Sequence, residues 1–439
     1  MKKITINWKS KTTKIVAICM ATILVIGVGI GIYFATRTPR SEKLLIMNWG
    51  EYMDESILHE FETYYKEQTG KKVTVVYKTF LDSEEAEKAI TKQKKDFDLI
   101  CPSEYVIERL YNQGFLLPLD FEAYGISDEK ENSYIGGLDE EIVTASAPNK
   151  GTDKNTYVIP YLYGTNGIMY DKEKIKTKGV TLFDEEGLPK KTADTYYGWD
   201  LLWKDNLTIS MKSTGRDSFA TAVLYNNREH LLTLEGEALK TELKRLFNNP
   251  DNAMLTAAQA AIQALSKDRN KEDDDSMKDE MMKGTGPDAG LFYSCDAGYT
   301  FEANENLWYY VPEEGSNFWV DGFVMPKYAV NKSAAHWFLN FICNPDIAYR
   351  NMDAAGACSP VEDAREAIRT AYEEDEDGEY FGYVEKYTGA DFEAYKAMVI
   401  ETMFPTKEAT LWRCEKFHAF DNEELTNEVN ELMSHYFLG

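Results

Sequence analysis

An α/β fold built on a parallel sheet is the class this sequence predicts. Three observations predict it: short apolar runs alternate with capped amphipathic segments, Gly, Pro or Asn punctuates the reversals, and 439 residues suffice for one large domain or two lobes. LLIMNW, from Leu44, reads as the first strand. Asp54 is placed to cap a helix whose apolar positions Ile57, Leu58, Phe61 and Tyr65 keep helical spacing until Gly70. KVTVVYKTF follows as a strand, then a charged helix from Asp82, then FDLICP as a strand. The Ser103 hydroxyl is expected to cap the next helix, which ends at Gly114. YVIPYLYGTNGIMYD, from Tyr157, reads as two extended pieces around Gly164, a crossing between lobes. From Trp199 to about Leu291 a second α/β unit is expected, with LTISM as strand and helical segments parted by Asn248-Asn249-Pro250. The charged runs at 267–275 and 373–377 read as solvated surface.

Ahead of this body lies a different composition. Residues 15–35 form an uncharged, mostly apolar run of 21 residues, close to the roughly 20 a helix needs to cross a bilayer. Five lysines precede it, which predicts a cytoplasmic basic leader at 1–14, a transmembrane anchor or uncleaved signal at 15–35 and a linker at 36–43. The body is then expected outside the cytoplasm, on a single-pass anchor in the cell membrane. A secretory signal has a shorter apolar core and a small-x-small cleavage site, and that site is poorly defined here.

Charge divides the same way. The net charge is −26, and because residues 1–43 carry a local +7, the remainder carries about −33. So acidic a body excludes nucleic acid as an expected partner, since such binding rests on neutralising phosphates. Six cysteines show no C-x-x-C spacing, so buried free thiols are expected rather than a disulfide or metal framework. Five histidines show no ligand spacing, and neither a P-loop, a dinucleotide fingerprint nor a G-x-S-x-G elbow occurs. No cofactor, no metal and no catalytic residue is therefore predicted.

What the chain does offer is rings and carboxylates together where strands end. Asn48-Trp49-Gly50-Glu51-Tyr52 follows the first strand, Pro102-Ser103-Glu104-Tyr105 the third, and Asn317-Phe318-Trp319-Val320-Asp321-Gly322 precedes FVMP. In α/β sheets ligands sit beyond the carboxyl ends of strands. Aromatic faces attract ammonium groups by about 0.5–2 kcal/mol each, and carboxylates supply the charge. A small cation with an aliphatic backbone fits that set.

The motifs N-W-x-E-Y at 48–52, P-S-x-Y at 102–105, I-P-Y at 159–161 and F-W-x-D at 318–321 resemble the spermidine/putrescine-binding proteins of polyamine ABC importers. The resemblance runs from Leu44 to about Pro360. It implies the two-lobed type II periplasmic-binding-protein fold, with lobe one from 44–163 and 321–366 and lobe two from 164–320 and 367–439. It also implies ligand contacts at Trp49, Glu51, Tyr52, Ser103, Tyr105, Asp217, Tyr293, Trp319 and Asp321. Several positions depart from the family. Thr214 stands where an aspartate is expected, Tyr293 replaces a tryptophan, Val106 a tyrosine, Gly50 a threonine and Ala357 a pocket tyrosine, while Arg413 falls near a glutamine contact. Fewer acids and rings imply a shorter diamine such as putrescine, or another cation. The implied function is polyamine capture and delivery to a permease and its ATPase, with lobe closure hinging at Gly164 and Gly322. Two alternatives stand beside it: a membrane-anchored extracellular hydrolase using paired carboxylates, and a scaffold domain without an enclosed pocket.

Overall fold

The computed structural model describes residues 38–148, 157–180, 198–265, 270–273, 275–375, 378–384, 386–420 and 423–438. The expected membrane span at 15–35 and the leader before it lie outside these residues. Among the described residues no helix is long and apolar enough to cross a membrane.

Strand β1 (Lys43–Trp49) has β2 (Thr74–Phe80) and β3 (Leu99–Ile100) as parallel neighbours, connected through helices α1 (Ser56–Thr69) and α2 (Ser83–Thr91). Ile57, Phe61 and Tyr65 form the buried stripe of α1, and Gly70, at φ 70°, ends it in the left-handed conformation that glycine adopts without strain. The Asp54 carboxylate accepts the N–H and hydroxyl of Ser56, although Glu55 holds the position next to the helix. Asp82 caps α2 through the Glu85 N–H. One fully buried carboxylate ties the start of this unit to its end: Asp98 accepts the N–H groups of Leu45, Val330 and Asn331 and pairs with Arg40 at 2.9 Å. Arg40 belongs to the expected linker, so its end is held against the body.

Two long strands run between the halves of the sheet. The segment from Tyr157 forms not two pieces but one strand, β5 (Val158–Asp171), buried along all 14 residues. Its antiparallel partner is β10 (Ser316–Pro326), with a register shift between Asp321 and Gly322. Gly164 does not interrupt β5. It makes room for a ring, because a Cβ there would lie 2.5 Å from Trp319 Cζ2. β10 meets β3 and the short β4 (Leu116–Leu117) antiparallel, and β5 meets β8 (Ala289–Tyr293) and β9 (Leu307–Tyr310) the same way. The sheet is therefore mixed, with order β2-β1-β3-β10-β5-β8-β6-β7, where β6 is Ile209–Lys212 and β7 is Asn270–Asp273. The parallel expectation holds within β2-β1-β3 and within β8-β6-β7 and fails at the crossing strands.

β7 corrects the surface-loop reading of residues 267–275. It pairs parallel with β6 at the end of the sheet. In the acidic run at 373–377, helical structure continues through Glu374. Asp375 then turns at φ 39° and accepts the N–H groups of Tyr380 and Phe381, so it is a structural residue. Of the cysteines, Cys101, Cys343, Cys358 and Cys414 are buried and Cys295 half-buried, all free thiols.

Candidate functional site

A cavity of about 450 Å³ opens between the carboxyl ends of β1 and β3 on one side and those of β6 and β8 on the other. All nine residues expected to contact a ligand line it. Trp49 ends β1; Glu51, at φ 48°, turns the chain behind it; and Tyr52 packs edge-on against Tyr161 at 5.8 Å. Ser103 and Tyr105 stand at the start of α3 (Glu104–Asn112). Asn317, Trp319 and Asp321 alternate along β10 and so share the face that looks into the cavity. Thr214 and Asp217 lie at the N-terminus of α4 (Gly215–Leu231), and Tyr293 ends β8.

Ser103 does not perform the capping role its position predicts. Its hydroxyl makes no bond to the α3 backbone; the Ser83 hydroxyl donates to it at 3.3 Å, and Ser103 bridges Asp321 in the sheet. Its side chain adjoins the Asp321 carboxyl, and Ser103 lines the cavity.

Asp321 is the buried acid at the centre of the site. Burial pushes its carboxyl up to about 7; the Ser103 and Tyr52 hydroxyls ease it down and the Asp217 charge raises it. Its Oδ1 has no hydrogen-bond partner among the described residues, and the same holds for Trp49 Nε1, Trp319 Nε1 and Asn317 Oδ1. Buried polar atoms without partners are costly and mark where a ligand can supply the missing bond. Glu104, beside it, is raised by burial and by the Asp321 charge, while the Val320 N–H at 3.0 Å opposes that rise.

Asp217 is organised differently. Asn166 Nδ2 donates to its Oδ1 at 2.7 Å, and the Thr214 and Tyr293 hydroxyls donate to its Oδ2 at 2.6 and 2.8 Å. Thr214, where the family resemblance expects an aspartate, thus serves to hold Asp217. A carboxylate with roughly four acceptor directions retains room for one more donor.

A third group was not anticipated from sequence. Lys212, the last residue of β6, pairs with Asp296 at 2.8 Å and lies 4.0 Å from the Tyr293 ring centroid. Lys278 pairs with Glu51 at 2.7 Å and lies 4.6 Å from the Tyr299 ring centroid. Burial works to raise Asp296, but the two lysines outweigh it and hold its carboxyl below the usual range. Only Asp296 carried a usable signal, since it follows strand LFY by three positions.

Other expected positions fall away from the cavity. Arg413 does not line it; its guanidinium bonds the Ala409 and Val311 carbonyls, while Phe417, four residues on, supplies a wall. Val106 packs in the apolar cluster with Ile107 and Leu110, and Ala357 is buried while Ala355 reaches the cavity. Among the described residues no cluster of His, Cys, Asp and Glu is placed to hold a metal ion.

The buried acid has a consequence for stability. The ordinary value for Asp321 is 3.8 and its folded value about 7, so the folded chain binds this proton more tightly than the unfolded chain. The resulting penalty is absent below about pH 4, grows as pH rises through the window, and is complete above about 7. The ligand-free thermal midpoint is therefore expected to fall between pH 6 and 8 by more in the native chain than in Asp321→Asn. Parallel calorimetric scans check this, and identical slopes would contradict it.

Over residues 49–349 the chain matches the family described as bacterial extracellular solute-binding protein. The spermidine/putrescine-binding periplasmic protein of Salmonella typhimurium is 26% identical over 341 residues, 76% of this chain and 82% of the relative. The putrescine-binding periplasmic protein PotF of Escherichia coli is 25% identical over 331 residues, 74% of this chain and 79% of the relative. Among solved structures, the spermidine/putrescine ABC transporter substrate-binding protein PotD of Streptococcus pneumoniae is similar at TM-score 0.59 and 24% identity, over 90% of this chain and 99% of that one. That likeness identifies the mixed α/β architecture as a periplasmic-binding-protein fold.

Proposed function

The chain belongs to the bacterial extracellular solute-binding protein family, and on that premise we propose that it is the extracytoplasmic substrate-binding component of a polyamine ABC transporter. It binds a putrescine- or spermidine-like polycation and delivers it to a permease driven by ATPase subunits. The observation that carries the ligand class is Asp321: a buried carboxylate with one unpartnered oxygen, in a cavity also walled by Trp49 and Trp319. An ammonium supplies the missing donors and the compensating charge at once, while the rings cover the methylene chain. Asp217 receives the second amine, and Tyr52, Ser103, Tyr105, Tyr293 and Glu51 complete the enclosure. Membership of a solute-binding family stands against the hydrolase alternative.

The two lobes are taken as 44–163 with 321–366 and 164–320 with 367–439. Support comes from register: Val320 pairs with Tyr163 and Trp319 with Gly164, so both crossings occur at one level of the sheet. Closure bends β5 and β10 there, near Gly164 and Gly322. In this reading the apolar run at 15–35 tethers the body to the outer face of the cell membrane.

Trp49 and Trp319 make binding visible by intrinsic fluorescence. Putrescine or spermidine is expected to change the emission saturably, with maltose as a silent control. No response to any polyamine at millimolar concentration would remove the ligand assignment.

A further inference from the structure

Six carboxylates line the cavity: Glu51, Glu84, Glu104, Asp217, Asp296 and Asp321. Three already hold a cation of the chain itself, as Glu51–Lys278, Asp296–Lys212 and Glu84–Arg109. Glu104 accepts the Val320 N–H at 3.0 Å through Oε2 while its Oε1 has no partner among the described residues, and burial together with the Asp321 charge pushes its carboxyl up towards the neutral form. That leaves Asp217 and Asp321 to face an incoming cation, and two acids match two amines.

The surroundings of Lys212 repeat, with a side chain, what the site is proposed to do with a ligand. Its ammonium is 2.8 Å from Asp296 Oδ2 and 4.0 Å from the Tyr293 ring centroid, a carboxylate and an aromatic face together. This is the pairing that stabilises an ammonium out of bulk water. The same Tyr293 donates its hydroxyl to Asp217 at 2.8 Å, so one ring adjoins both the resident ammonium and an acid left for the ligand. Both members of the ion pair are largely shielded, with side-chain exposures of 10% and 19%.

We propose that Lys212 is a tethered occupant of an amine subsite formed by Asp296 and Tyr293, and that it restricts the cavity to short diamines by repelling a third ammonium. This rests on the polyamine reading above and names the selective element within it. Putrescine satisfies Asp217 and Asp321 and stops. Spermidine must place another positive charge in a cavity where Glu51, Asp296 and Glu84 are already paired with Lys278, Lys212 and Arg109 and where burial pushes the Glu104 carboxyl up towards the neutral form.

Calorimetric titration of the full chain with putrescine, spermidine and spermine, on the native protein and on Lys212→Ala and Lys212→Gln, tests the assignment. The native chain is expected to bind putrescine more tightly than spermidine. Both variants are expected to raise spermidine affinity relative to putrescine at least tenfold, because Asp296 and the Tyr293 face become available to the third amine. A native preference for spermidine overturns the proposal whether or not the variants fold. So does an unchanged affinity ratio in a variant whose circular dichroism matches the native chain. If the native chain binds no polyamine, the transport reading fails first, an outcome distinct from an unchanged ratio.

Discussion

Asp321→Ala is expected to weaken putrescine binding by about 2–5 kcal/mol, the usual cost of truncating one partner of a desolvated charge pair. Two features put the effect in that range. The carboxylate is buried enough that its ordinary value of 3.8 moves up to about 7, so the ligand-free protein already bears the strain of an unmatched acid. In the complex the ligand ammonium would be left inside a cavity walled by Trp49, Trp319 and Tyr52, with no replacement acid on β10. Calorimetry of the variant beside the native protein reads the loss. Affinity within a factor of two of native would remove Asp321 from the site.

Asp98→Ala is expected to be the most damaging change to the fold, at about 3–5 kcal/mol, the range for breaking a buried charged network. Asp98 gathers the N–H of Leu45 at 2.9 Å, those of Val330 and Asn331 at 2.8 and 2.7 Å, and the Arg40 guanidinium. Leu45 is in β1, whereas Val330 and Asn331 lead into the helix Lys332–Ile342, so one carboxylate joins chain segments far apart in sequence. Arg40 retains Asp96 as a partner at 2.7 Å, so the cost falls mainly on the three stranded N–H groups. A urea titration should show the midpoint drop without a change in slope. A loss below about 1 kcal/mol would mean that water replaces the carboxylate.

Local features were legible from sequence where local physics determines them. The Ile57, Phe61, Tyr65 stripe and the Gly70 stop are periodicity and a φ requirement, and both occur as expected. The ring-and-acid clusters at 48–52 and 102–105 converge on one cavity because strand ends in one sheet face the same crevice, and the cluster at 317–322, expected at a loop, joins them from within the crossing strand β10. Partner-dependent features were not legible. The direction of β10 depends on β3 and β5, not on its own residues, so the parallel expectation missed the antiparallel crossing. β7 lacks the apolar alternation that announces a strand, since it lies at the end of the sheet. The lysine pairs join residues 84 and 227 positions apart, beyond the reach of any spacing rule. Ser103 shows the intermediate case: its position beside α3 was readable, but its hydroxyl turns to Ser83 instead of capping the helix.

In the proposed function, charge rather than shape selects the ligand. Isothermal titration of the full chain at pH 8 with putrescine, alongside 1,4-butanediol as an uncharged analogue of the same length, tests it most directly. Saturable heat at one site is expected with the diamine and none with the diol. Equal binding of the two, or none of putrescine or spermidine at millimolar concentration, would contradict it.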